Sequence, residues 1–306
     1  MPRFPSGIMA TCCVPWDVDG QFAESIFRRS VRSKLKLGTK LLYVFGTAGE
    51  GYAVTETQFD QIVIAFAEEM RQGNADPMIG IIDLSLGTIC DRIQRCRERG
   101  IMQFQISLPS WGALSERELF SFFEAVCGRF PDCQFMHYNL PRAKRLVTGK
   151  EYCRLADIFP NLVATKNCGD SLSHIRSLMT NAPQLQHFFS ESGYAYGSSF
   201  GECGILASFV MNWPKLYALY HAGKQNDTAT KTAILKEVDI VLESLFAAVP
   251  EGRIDGSYDK LYEKMYDPSF PLGLLPPYVG SNDAEFATFV QTLNERLPEW
   301  VPRDQE

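Results

Sequence analysis

Two kinds of apolar patterning alternate along most of the chain. Short β-type runs occur at residues 7–14 (GIMATCCV), 41–46 (LLYVFG), 78–84 (MIGIIDL), 102–108 (MQFQISL), 134–139 (QFMHYN), 162–167 (LVATKN), 187–192 (HFFSES) and 204–209 (GILASF). Between them lie longer stretches with helical punctuation. TETQFDQIVIAFAEEM opens with Thr55 and Gln58 at capping-box spacing, and SERELFSFFEAV does the same with Ser115 and Glu118. TICDRIQRCRERG ends in basic residues and Gly100, a helix stop. After the seventh run the glycine-rich stretch 193–204 weakens the expectation of a helix.

Eight strands alternating with helices predict an α/β architecture, a (β/α)8 TIM barrel. An open doubly wound sheet usually carries a glycine-rich turn after its first strand, and CCVPWDVDG is not one. From about Asp227 the strand pattern stops, and amphipathic helical segments follow. The predicted organisation is a barrel over residues 1–226 that carries the active site, and a C-terminal helical segment over 227–306 appended to it. No internal repeat or low-complexity linker separates the two.

Composition narrows the function classes. The formal charge of −6 is spread over both signs, with no basic block, which argues against nucleic-acid binding. No apolar run approaches the ~20 residues of a membrane span, and the N-terminus does not read as a signal peptide. Nine cysteines, an odd number at irregular spacing without CxxC, read as buried reduced thiols of a cytoplasmic protein. The four histidines form neither HxH nor HExxH, so no metal is expected. No phosphate- or dinucleotide-binding motif points to a cofactor.

Barrel active sites lie at the C-terminal strand ends. There the chain places GTAGEG (Gly46 to Gly51), LPSWG, HYNLP, Lys166 and the Ser190–Glu191 pair. The GTAGEG turn offers backbone N–H groups and the Thr47 hydroxyl, a nest for a carboxylate or a tight strand-to-helix turn. Lys166 closes an apolar strand and shares a face with the small Ala164. A lysine there either snorkels to water or, partly desolvated, serves as an amine nucleophile that forms Schiff bases with carbonyl substrates. Tyr138 is a rim tyrosine or a proton shuttle, and its neighbour His137 points the opposite way, toward the helices. Together these suit a 2-keto acid. Lys166 would condense with the ketone, the GTAGEG amides would hold the carboxylate, and a tyrosine would move protons.

Three motifs in register, FGTAGEGYAVT, YNLP and VATKNCGDS, resemble the dihydrodipicolinate synthase/N-acetylneuraminate lyase family. The likeness covers roughly residues 5–225. It implies a (β/α)8 class I aldolase, lyase or dehydratase acting on pyruvate or another 2-keto acid, without a cofactor, and assembled as a dimer or tetramer. It implies that Lys166 is the Schiff-base lysine, Tyr138 the acid/base residue and Thr47 its relay partner. Thr47 and the backbone of Ala48, within the turn made by Gly46 and Gly49, would hold the keto-acid carboxylate. Trp111 stands where the family often has a tyrosine lent to a neighbouring subunit. Ala143 stands where the synthase has the arginine that binds its aldehyde's carboxylate, which argues against the synthase reaction itself. Glu191 is the candidate acceptor for the hydroxyl groups of a sugar-acid-like substrate. The leading expectation is an aldolase or lyase. A 2-keto-3-deoxy sugar acid dehydratase using the same imine and a non-catalytic keto-acid sensor are the alternatives.

Overall fold

A computed structural model describes residues 1–169 and 171–302. Eight parallel strands close into a barrel in sequence order: β1 (Ile8–Cys12), β2 (Leu41–Val44), β3 (Met78–Ile81), β4 (Gln103–Ile106), β5 (Gln134–Asn139), β6 (Leu162–Asn167), β7 (Gln186–Phe189) and β8 (Gly204–Ala207). All eight predicted strands are present. Nearly every strand residue is buried, because side chains of one parity fill the barrel and those of the other meet the helices. Met9, Tyr43, Met78, Met136, Ala164, Phe188 and Leu206 form the inward layer, and Phe4 plugs its lower end against Phe188.

The helices of the outer ring are α1 (Glu24–Lys36), α2 (Glu56–Gln72), α3 (Leu86–Glu98), α4 (Glu116–Phe123), α5 (Gly149–Ile158), α6 (Leu172–Asn181), α7 (Glu191–Gly197) and α8 (Trp213–Lys224). Both predicted capping boxes form: Thr55 and Ser115 each accept from the backbone N–H three residues on, and Gln58 and Glu118 reach back. The stretch after β7 is helical after all. Gly193 and Gly197 let α7 lie directly on the ring of Phe189, where a Cβ would come within 2.9 and 3.1 Å of that side chain. Packing onto β7 thus outweighs the low helix propensity of glycine. All nine cysteines are unpaired, and seven are buried.

Beyond α8 the chain adds α9 (Thr228–Ala248), α10 (Asp255–Tyr266) and α11 (Asp283–Arg296). Of this segment, α10 packs on the C-terminal mouth of the barrel. A Cβ on Gly256 would lie 3.2 Å from the carbonyl of Ala48, and Lys260 pairs with Glu50 at 2.6 Å with both side chains fully buried. Glu50 also accepts from Trp16 Nε1 at 2.9 Å and from the N–H of Leu275 at 2.7 Å. That carboxylate ties the turn after β2 to the first strand's loop and to the C-terminal segment. No described helix is long and apolar enough to cross a membrane.

Candidate active site

Strand alternation and register decide where Lys166 points. Tyr138, Lys166 and Phe188 pair side by side across β5, β6 and β7, so all three face the same side of the sheet. Ala164, two residues before Lys166, lies in the inward layer, and Lys166 therefore enters the barrel. Its side chain does not snorkel, since the residue is only 3% exposed. The ammonium donates to Tyr43 Oη at 2.8 Å and sits 3.8 Å above the centre of the Tyr138 ring and 4.5 Å from that of Tyr43. No described carboxylate pairs with it. The two aromatic faces replace only part of the lost hydration. Burial pushes the Lys166 amine down from 10.5 to about 8, with Cys168, Asp255 and Asp259 acting weakly the other way. Roughly one amine in ten is then neutral at pH 7, against about one in 3,000 for an ordinary lysine.

The Tyr138 hydroxyl lies 3.3 Å from Thr47 Oγ1 and receives the Cys168 thiol at 3.5 Å. Burial, followed by Cys168, holds this phenol protonated well above its ordinary range, while Thr47 acts in the opposite sense. Lys166, Tyr138 and Thr47 are thus brought together within one buried cluster. On the far side of the strand His137 turns to the helices, with Nδ1 2.5 Å from Tyr152 Oη and its ring edge-on to Phe123. Burial lowers its pKa to about 3, so it stays neutral.

The turn after β2 is built for close approach. Phe45 is left-handed (φ 65°), which costs an aromatic residue about 1–2 kcal/mol. Its ring stacks on Phe59 at 5.0 Å between centroids, fully buried, and that burial offsets the strain. The Phe45 carbonyl would meet a Cβ on Gly80 at 2.1 Å, so only glycine fits on β3. At Gly46 a Cβ would stand 2.7 Å from the Tyr43 ring and 3.3 Å from Lys166 Nζ. Gly46 therefore leaves room around the amine. Gly49 plays a different part: a Cβ there would strike the Phe45 backbone, so it serves the turn itself. The N–H groups of Thr47 and Ala48 donate to no backbone carbonyl among the described residues, which leaves them available to an anion beside Lys166.

The other candidates lie elsewhere or are already engaged. Trp111 is 84% exposed on the loop after β4, and within this chain it is not brought to Lys166. Glu191, the candidate hydroxyl acceptor, is engaged by the backbone through one of its oxygens. It opens α7 and is buried, and its Oε1 accepts from the backbone N–H groups of Ser208 at 2.7 Å and Phe209 at 3.4 Å. It binds the β8 loop to β7, a role no local pattern announces. Of the cations near Ala143, Arg142 pairs with Asp255 of α10 at 2.8 Å, Lys144 donates to the Trp111 carbonyl, and Arg145 is held by Glu151 and the Leu114 carbonyl. Two groups at the mouth were not anticipated. Tyr43 is inward-facing on β2, which its alternation with Leu42 and Val44 could have shown. Asp259 comes from α10, and only the tertiary structure brings it here. One open cavity, about 670 Å³, lies beside Arg29, Lys34 and Trp213. A second, about 470 Å³, adjoins Arg142 and Tyr278. The chemistry of Lys166 marks the candidate site.

This barrel, with a desolvated lysine at its mouth, has known relatives. The profile of the dihydrodipicolinate synthetase family matches residues 4–250, and the chain belongs to that family. Among curated proteins it is 21% identical over 290 residues to a 4-hydroxy-tetrahydrodipicolinate synthase from Exiguobacterium sibiricum, covering 94% of this chain and 96% of that one. With another such synthase the match takes in only 60% of the relative's length. Among solved structures the fold resembles YagE, a prophage protein of the dihydrodipicolinic acid synthase family from E. coli K12 in complex with pyruvate. The TM-score is 0.84 at 18% identity, covering 95% of this chain and 98% of that one. It also resembles a catalytic-lysine mutant of the Ruminococcus gnavus sialic acid aldolase, with a TM-score of 0.82, 13% identity and 94% of each chain covered. At these identities the structures speak for the fold alone. Family membership supports an enzyme of the aldolase or lyase type.

Proposed function

We propose that the protein is a Schiff-base-forming aldolase or lyase that breaks or makes a C–C bond in pyruvate or a related 2-keto acid. The observation that carries this reading is Lys166: buried, without a carboxylate partner among the described residues, lowered to about 8 and set against two tyrosines. A nucleophilic amine needs such a setting, and a simple binding site does not.

The neutral Lys166 amine attacks the C2 ketone, and the carbinolamine loses one water to give an iminium. Thr47 and the N–H of Ala48 hold the C1 carboxylate. In the cleavage direction the C4 hydroxyl gives up its proton, the C3–C4 electron pair flows into the iminium, and an aldehyde leaves. Tyr138 carries that proton, relayed through Thr47 at 3.3 Å. The enamine then takes a proton at C3, and water releases pyruvate. Addition is the reverse sequence. Assembly as a dimer or tetramer belongs to the same reading, and sedimentation tests it.

The synthase reaction proper needs a cation for the second substrate's carboxylate. Ala143 is buried with no donor in its side chain, and Arg142, Lys144 and Arg145 already have partners. Efficient condensation of pyruvate with aspartate semialdehyde would contradict this part of the proposal. The main test is incubation with pyruvate and borohydride followed by peptide mapping. One adduct on Lys166 is expected, and an adduct on another lysine, or none with any 2-keto acid, would overturn the assignment. Release of free pyruvate from a 2-keto-3-deoxy sugar acid separates C–C cleavage from dehydration.

A further inference from the structure

The alternation that turns Lys166 into the barrel does the same for Cys168, two residues on. Its side chain packs on the inward layer that contains Tyr43, Met136 and Ala164. Strand β6 ends at Asn167, but its pairing with β5 runs one step further, since the N–H of Cys168 donates to the Asn139 carbonyl at 3.4 Å. Asn139 Nδ2 donates to Asn167 Oδ1 at 3.3 Å, and Asn167 Nδ2 to Thr165 Oγ1 at 2.8 Å, so the two strand ends are tied together. Cys168 is thereby held against the Tyr138 hydroxyl, to which its thiol donates at 3.5 Å.

A phenol has one proton to give and lone pairs that accept. The Cys168 thiol occupies one accepting side of Tyr138, and Thr47 Oγ1 stands at 3.3 Å on the same oxygen. The phenol's own proton is left to point toward Thr47 or the substrate. In the proposed reaction the hydroxyl that leaves the carbinolamine takes a proton from Tyr138, so water departs and an iminium and a phenolate form together. The phenolate then accepts the C4 hydroxyl proton in cleavage. With pyruvate alone it accepts a C3 proton, which leaves enamine and phenol. In that interval the anion sits on a residue only 2% exposed, where an oxygen without donors is costly. Thr47 supplies one donor and Cys168 a second. Trp111, where the family often has a further hydroxyl, is outside this cluster.

We propose that Cys168 is a positioning residue of the proton relay: its thiol directs the Tyr138 proton toward Thr47 and the substrate, and holds the phenolate while the iminium exists. This deepens the proposed function and rests on it. The hydrogen bond has a direction that pH reverses. A thiolate would accept the phenol's proton, and its charge would oppose a phenolate beside it. Burial raises the thiol above its ordinary value, with Lys166 and then Tyr138 opposing, so the donor form holds at neutral pH. The titratable and charged groups that face it are Lys166 on its own strand, Tyr138 and Arg142 from β5 and its loop, Tyr43 from β2 and Asp255 from α10.

The test follows exchange of the pyruvate C3 protons in D2O by NMR for wild type, Cys168→Ala and Cys168→Ser, beside end-point borohydride trapping. All three should reach one adduct on Lys166, which reports an intact barrel and amine. Cys168→Ala should lose about tenfold in the maximal exchange rate, with the KM for pyruvate changed less than about twofold. That is the low end for a hydrogen bond to a charged group, because S–H is a weak donor. Cys168→Ser should return to within about threefold of wild type, since a hydroxyl donates in the same way. Wild type should lose rate at alkaline pH as the thiol ionises, and the serine variant should not. An alanine variant as fast as wild type, a serine variant no faster than alanine, or the same alkaline fall in wild type and serine would each overturn the proposal. No adduct in wild type would instead overturn the Schiff-base reading on which the proposal stands.

Discussion

Replacing Lys166 by methionine should stabilise the protein, and by an amount that depends on pH. The amine is lowered from 10.5 to about 8 because burial strips water from the ammonium, and the opposing pull of Cys168, Asp255 and Asp259 is smaller than that loss. A base lowered in the folded state binds fewer protons there than in the unfolded chain wherever pH lies between the two values. Stability then rises with pH across that window, from about 8 to 10.5. Below it the folded protein bears the full cost of a buried ammonium, roughly 3 kcal/mol from a shift of this size. At pH 10 most of the cost is gone, and roughly 1 kcal/mol remains. Methionine fills a similar volume and carries no charge. It also removes the hydrogen bond to Tyr43, a loss that does not depend on the lysine's titration. The difference in unfolding free energy between Lys166→Met and wild type should therefore move by about 2–3 kcal/mol between pH 7 and pH 10, with the mutant's advantage larger at pH 7. Urea unfolding of both proteins at the two pH values measures it, and groups common to both cancel. A difference that is flat with pH would show that Lys166 keeps an ordinary pKa, and the argument for a nucleophilic amine would fail with it.

Three further outcomes are expected. Tyr138→Phe should lower turnover by about 10²- to 10⁴-fold, the range of a positioned acid/base group, while still trapping pyruvate slowly; near-wild-type turnover would assign the proton transfer to another group. Gly46→Ala should slow borohydride trapping at least tenfold with the circular dichroism spectrum retained, since its Cβ would press on Tyr43 at 2.7 Å and crowd Lys166 Nζ at 3.3 Å; trapping at the wild-type rate would refute the close-approach argument. Lys260→Met should destabilise by about 3–5 kcal/mol, because it leaves the fully buried Glu50 without its cation, and a change under 1 kcal/mol in urea unfolding would show that Trp16 and the Leu275 N–H suffice.

Much of the architecture is written in short-range pattern. The eight apolar runs, the capping boxes at Thr55 and Ser115, and the inward parity shared by Ala164 and Lys166 depend only on neighbours within a few residues, and periods of 2 and 3.6 make them readable. The motifs around Gly46, Tyr138 and Lys166 are similarly local, and so was the family likeness. Barrel closure decided the rest. Tyr43 reaches Lys166 across 123 positions of sequence, a contact that exists only because β2 and β6 face each other over the barrel interior. The backbone partners of Glu191 were not legible either, because a carboxylate at a strand end looks the same in sequence whether it faces a ligand or two backbone N–H groups of the next loop. Asp259 could not be placed at all from its own helix. Four-residue spacing puts Asp255, Asp259 and Glu263 on one face, but which face meets the mouth depends on where Glu50, Arg142 and Lys34 stand once the barrel has closed. Helix periodicity is a property of the segment, whereas the direction it faces is set by partners as far as 229 residues away.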